Sequence, residues 1–130
     1  MNAILSIKPE YVSKIFAGVK KYEYRKVLFK KEIDIVYIYA SKPISKIVGE
    51  FRIANIICDT PAEVWEKTNE YGGVTKSFFD RYYDGDKRSI AIQLSHVKEF
   101  KTPIDIKSVR DSIKAPQSFR YIDFNLKIEM

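Results

Sequence analysis

Apolar and polar positions alternate in short units along this chain, with few gaps between them. Residues 3 to 7 read as a first strand. Pro9 with Glu10 beside it has the chemistry of a helix start, because proline suits the first helical position and a carboxylate suits the positive end of the helix dipole. Val12, Ile15 and Phe16 give that helix an apolar stripe, and Gly18 falls just past its end. Residues 21 to 25 predict the next strand, in which 21, 23 and 25 share one face and 22 and 24 the other. Glu23 and Arg25 then point together, whereas Lys20 joins them only if the chain is still turning after Gly18, as glycine permits.

Ile33 to Tyr39 is a dense run of Ile, Val and Tyr, which predicts a strand buried on both faces at the centre of the sheet. Ile47 to Ile57 is long for one straight strand, and Gly49 near its start suggests a bend or bulge. Phe51, Ile53 and Ile57 are expected inside, with Glu50 and Arg52 outside. Thr60-Pro61-Ala62-Glu63 combines an N-cap threonine, a first-position proline and a capping-box glutamate, followed by Val64 and Trp65 as the buried face. A further helix starts near Thr75 and is closed by Gly85. Its Phe78, Phe79, Tyr82 and Tyr83 at helical spacing are expected to pack in the core. Residues 89 to 94 alternate as a strand with Ile90, Ile92 and Leu94 inward. The tail from Phe100 carries Pro103 and Pro116 and is expected to be loop with short extended pieces.

A length of 130 residues suits one domain, 1–130, without repeats or linkers. The 45% apolar and 31% charged fractions fit an ordinary folded protein. The first apolar run stops at Lys8 and Pro9, so neither a membrane span nor a secretory signal is expected. A single cysteine, Cys58, cannot form an internal disulfide, and one Cys with one His cannot assemble a usual zinc site. A cytoplasmic protein without metal or cofactor follows. Gly72-Gly73 lacks the lysine and flanks of a phosphate loop, and His96 standing alone reads as a bystander.

The net charge of +6 is unevenly distributed. Residues 1–46 carry ten Lys or Arg against four Asp or Glu, residues 59–86 three against seven, and residues 87–130 nine against five. Basic chain ends around an acidic middle favour a polyanion docking on one side. A solvated lysine-rich surface explains the same charge.

Within Gly18 to Arg25, Lys20 and Arg25 can donate to phosphate or a base carbonyl, while Glu23 can accept from an exocyclic amine or a ribose hydroxyl. Tyr22, Tyr24 and Phe29 lie among Lys20, Lys21, Arg25, Lys26, Lys30 and Lys31. Rings interleaved with basic residues suit single-stranded RNA, with Lys21, Lys26, Lys30 and Lys31 on the phosphates. Two plainer readings stand beside this one: Tyr22 and Tyr24 as barrel-wall residues, and Glu23 as a salt-bridge partner of Lys20 or Arg25.

The same residues resemble the ASCH domains (activating signal cointegrator homology) of the PUA-like superfamily. That family's hallmark is a glycine, a lysine two residues on, a polar residue five on and an arginine seven on, matched by Gly18, Lys20, Glu23 and Arg25. The likeness extends to Leu5–Glu10, Ile47–Phe51 and Ala115–Phe119. It implies an α+β fold, a PUA-like mixed β-barrel with flanking helices. It also implies a cleft in which Lys20, Glu23 and Arg25 meet the ligand, with Gln117 and Ser118 lining it and Ser6 and Lys8 at its rim.

Relatives on this fold include binders and enzymes. The first expectation is an RNA- or modified-nucleotide-binding domain with a regulatory role. The alternative is a metal-independent enzyme with Lys20 and Glu23 catalytic, either a ribonuclease on single-stranded RNA or an amidohydrolase on acetylated cytidine. The resembling amidohydrolase uses a threonine at the position of Glu23, and a carboxylate there requires another mechanism. A protein partner or DNA, and hence transcription regulation, is a weaker reading. The best helix pair, 61–83, is acidic and lacks a helix-turn-helix pattern.

Overall fold

The computed structural model describes residues 1–109 and 114–128. Six strands form one mixed sheet: β1 (Asn2–Ile7), β2 (Tyr22–Arg25), β3 (Val36–Ala40), β4 (Lys46–Asp59), β5 (Ser89–Ile104) and β6 (Phe119–Ile122), in the spatial order β2-β5-β4-β3-β1-β6. Among the described strands only β1 and β3 run parallel, from Ala3 opposite Val36 to Ile7 opposite Ala40. The sheet curls into a half-barrel with β2 and β6 as its edges. Among the described residues four α-helices accompany it: α1 (Pro9–Phe16), α2 (Pro61–Thr68), α3 (Lys76–Tyr82) and the short α4 (Ile106–Val109), with a 3-10 turn at Asn69–Tyr71.

All five residues of β3 are buried, as a strand covered on both faces requires. On one face Leu5, Ile7, Val36, Ile38, Phe51, Ile92 and Leu94 pack under Val12 and Ile15 of α1. On the other, Ile4, Tyr37, Tyr39, Ile47, Phe100 and Ile122 form a second core. Period-2 alternation along β1 separates Ile4 from Leu5 and Ile7 in this way.

The helix starts follow their local chemistry. The Thr60 hydroxyl accepts from the Glu63 N–H at 3.3 Å, and the Thr75 hydroxyl accepts from the Phe78 N–H at 3.1 Å. Three expectations need correction. The described tail is coil with a short helix and one short strand, β6, but it begins after Ile104 and not at Phe100, because β5 continues that far. Pro103 is tolerated because it lies where the β4–β5 register is irregular, between the Gly49–Glu99 and Ile47–Ile104 pairs, so no ladder bond requires its missing N–H. The aromatic stripe of α3 is also divided. Phe79 and Tyr83 are core, packed with Tyr24, Val64 and Ala91, whereas Phe78 and Tyr82 turn toward a hollow beside the sheet. Finally, Tyr22 and Tyr24 form no exposed platform: Tyr24 is buried and Tyr22 packs partly against the same cluster. Among the described residues, no helix is long and apolar enough to cross a membrane.

Candidate functional site

After α1, Gly18 adopts a φ of +80°, and the N–H groups of Val19 and Lys20 both return to the Lys14 carbonyl at 3.1 Å. The chain is therefore still turning at Lys20, which overcomes its wrong parity and places it with Glu23. From there β2 runs antiparallel to β5, with Glu23 opposite Ile92 and Arg25 opposite Ile90.

The three charges meet. Lys20 Nζ lies 3.8 Å from Glu23 Oε1, and Arg25 Nη1 lies 3.4 Å from Glu23 Oε2. Lys20 is 2% exposed and Glu23 6%, so this is no loose surface ion pair. Lys20 Nζ also donates to the Gly72 carbonyl at 2.6 Å and sits 5.3 Å from the Tyr11 ring centroid and 5.0 Å from that of Tyr24. Arg25 donates to the Ser6 carbonyl at 3.3 Å and to Ser118 Oγ at 2.6 Å. Burial holds the Glu23 carboxyl above its ordinary range, with Lys20 and Arg25 pulling the other way. Burial likewise pushes the Lys20 ammonium down, opposed by Glu23. The two shifts run toward each other, so moving a proton from Lys20 to Glu23 costs less here than in water.

A hollow of about 420 Å³ opens over this cluster. Lys20, Glu23, Arg25 and Tyr24 line it from the β2 side, Ser6, Ile7 and Lys8 from the end of β1, and Tyr11 from α1. Val74, Phe78 and Tyr82 form the facing wall, and Ser41 and Gln117 complete the rim. The volume falls within the range of small-molecule sites. Tyr11 and Phe78 meet edge to face at 5.7 Å between centroids.

Of the residues expected from sequence, Lys20, Glu23, Arg25, Ser6, Lys8 and Gln117 line the hollow. Ser118 does not line it but holds Arg25 and accepts the Ser6 N–H at its carbonyl, 2.8 Å away. The four lysines expected along a nucleic-acid backbone do not share one place. Lys21 lies over the Tyr71 ring, 4.3 Å from its centroid, with its own N–H bonded to the Tyr71 carbonyl. Lys26 pairs with Asp86 at 3.2 Å and lies over Tyr82. Lys30 and Lys31 are both exposed beside Tyr121. His96 is outside the hollow, exposed and bonded to Ser95 Oγ at 3.2 Å.

Sequence reasoning missed Tyr11, Phe78, Tyr82 and the Gly72-Gly73 turn. The glycines carried the signal, though for steric reasons and not as a phosphate loop. A Cβ on Gly72 would collide with the Tyr24 hydroxyl, and one on Gly73, at φ +70°, would lie 2.8 Å from Lys20 Cβ and Cγ. The turn thus closes directly on the Lys20 stem.

A curled mixed sheet with flanking helices and a charged hollow at the end of β1 is an α+β, PUA-like fold. The chain belongs to the ASCH domain family, whose model matches residues 5–104. The crystal structure of ASCH from Zymomonas mobilis superposes with a TM-score of 0.85 at 22% identity, covering 93% of this chain and 87% of that one. An ASCH domain-containing ribonuclease of Zymomonas mobilis is 22% identical over 125 residues, 93% of this chain and 84% of the relative. The large ribosomal subunit protein uL22 of Ureaplasma parvum is 25% identical over 124 residues, and the aligned region spans 92% of this chain but only 38% of that protein.

Proposed function

We propose that this domain binds single-stranded RNA and seats one nucleotide in the hollow. A single observation carries this reading: a buried carboxylate held between an ammonium and a guanidinium opens onto a hollow walled by Tyr11, Phe78 and Tyr82. Glu23 accepts from a base amine or ribose hydroxyl, Arg25 and Lys8 face a phosphate, and the rings pack against the base. Binding of a labelled RNA decamer tests it. With three to five phosphate contacts, log affinity falls with log salt at a slope of about −2 to −3.5. Glu23→Gln changes the preference among nucleotides. A flat salt response, or no retention of the decamer at low salt, removes the reading.

A second reading, cleavage of the bound strand, is favoured by the opposed shifts of Lys20 and Glu23 and by the ribonuclease among the relatives. Glu23 takes the proton of a 2′-hydroxyl, whose oxygen attacks the adjacent phosphorus. The P–O5′ bond breaks, and the leaving oxygen takes a proton from Lys20. Arg25 balances the charge developing on the phosphorane. The products are a 2′,3′-cyclic phosphate and a 5′-hydroxyl, and a proton passing from Glu23 to Lys20 resets the pair. Loss of the decamer with wild type, abolished by both Lys20→Ala and Glu23→Gln, supports cleavage. Equal loss with all three proteins assigns the activity elsewhere.

A further inference from the structure

Resting on the cleft reading above, we propose that the RNA strand leaves the hollow along residues 117–121 and that Lys30 and Lys31 hold the phosphates of the neighbouring nucleotides. The path begins at Gln117, on the rim, and passes Ser118, whose hydroxyl is bonded to Arg25. Both residues are exposed. Three residues further on, about 10 Å at strand spacing, stands Tyr121.

Tyr121 organises a surface there. Its hydroxyl accepts the Lys30 N–H at 2.7 Å, its ring lies 5.0 Å from Lys31 Nζ, and it packs with Phe119 and Phe29 at centroid distances of 5.5 and 6.4 Å. Phe29 and Phe119 in turn meet edge to face at 4.8 Å. The segment from 26 to 31 has no regular secondary structure. These contacts nonetheless hold the Lys30 backbone and the Lys31 side chain beside β6, so the segment needs less ordering when a ligand arrives. Neither Lys30 nor Lys31 forms an ion pair among the described residues, whereas Lys26 is neutralised by Asp86. On the opposite flank of the hollow Lys14 donates to the Gly73 carbonyl and Lys21 lies over Tyr71, so both stems are held against the 71–73 turn while keeping their charge. Lys30 and Lys31 add positive charge beside the exposed Gln117–Ser118 edge of the cleft, and a linear polyanion of phosphates is the partner that fits that arrangement.

The test compares a fluorescein-labelled RNA decamer, checked on a gel for integrity, with the four nucleoside 5′-monophosphates. For a single strand each phosphate contact adds about −0.7 to the salt slope, or roughly 5-fold in affinity at 0.1 M salt. The double substitution Lys30→Ala/Lys31→Ala is expected to weaken decamer binding roughly 25-fold and flatten its slope by about 1.4. It leaves mononucleotide affinity and thermal stability unchanged, and Lys21→Ala leaves both probes unchanged. Mononucleotide binding with an undiminished decamer affinity in the double variant overturns the path and spares the cleft reading. Equal loss with Lys21→Ala also overturns the path, since the charge effect is then not one-sided. If neither probe binds wild type, the cleft reading fails and the path with it.

Discussion

Replacing Gly73 by alanine tests how the site is built. At φ +70° an L-residue costs about 1–2 kcal/mol through its own backbone. The added Cβ also meets Lys20 Cβ and Cγ at 2.8 Å and Cδ at 2.9 Å, closer than packed carbons allow, so the Lys20 stem must move. Moving it breaks the 2.6 Å bond from Nζ to the Gly72 carbonyl, a hydrogen bond to a charged group worth about 1.5–3 kcal/mol. The expected loss is about 2.5–5 kcal/mol. Gly85 provides the control: it has a φ of +78° with nothing within 4 Å of an added Cβ, so Gly85→Ala carries only the backbone cost of about 1–2 kcal/mol. Urea unfolding followed by circular dichroism measures both, as a lower midpoint at unchanged slope. Equal losses at the two positions would falsify the close approach of the 72–73 turn to Lys20.

Three other outcomes follow from the same geometry. Because the Glu23 carboxyl is held above its ordinary 4.5, the folded state carries more protons than the unfolded chain between that value and the folded one. Stability therefore falls as pH rises through that window, and Glu23→Gln removes this slope from urea midpoints measured across the acid and neutral range. Thr68 Oγ1 donates to the Val64 carbonyl at 2.7 Å, and a hydroxyl has one proton, so Tyr24 is the donor in the 2.7 Å bond between the two side chains. Thr68→Val then leaves a buried Tyr24 hydroxyl without its acceptor and costs about 1–3 kcal/mol, more than the about 0.5–1.5 kcal/mol of Tyr24→Phe; the reverse order in thermal unfolding refutes the assignment. Phe78→Ala is expected to weaken decamer binding by about 1–3 kcal/mol, the worth of one stacked base, and an unchanged affinity in fluorescence anisotropy removes Phe78 from the ligand surface.

The charged cluster was legible in the sequence because its spacing is local: a turn at Gly18 and a two-residue period place Lys20, Glu23 and Arg25 within one short segment. The helix starts at Thr60 and Thr75 were legible for the same reason, since a cap is satisfied within three residues. The facing wall was not. Phe78 and Phe79 are adjacent and equally apolar, and only the position of α3 against β2 and β5 sends Phe79 into the core and Phe78 into the hollow. Gly72 and Gly73 likewise looked like an incomplete phosphate loop, because their function depends on Lys20, more than fifty residues earlier, closing against them. Length misled at β5, where a proline reads as a break but falls at a register irregularity.

The side chain of Asn2 bonds to the Phe124 carbonyl at 2.9 Å and to Asn125 at 2.7 Å, so the 124–125 segment closes on the start of β1. The hollow lies at the other end of that strand, beyond Ser6. A polypeptide joined near Asn2 or near Asn125 would grow from one shared rim, roughly 13 Å along β1 from the charged floor. Attachment to a bulky host would leave the mouth turned outward, and a tether on one side could be exchanged for one on the other without moving it.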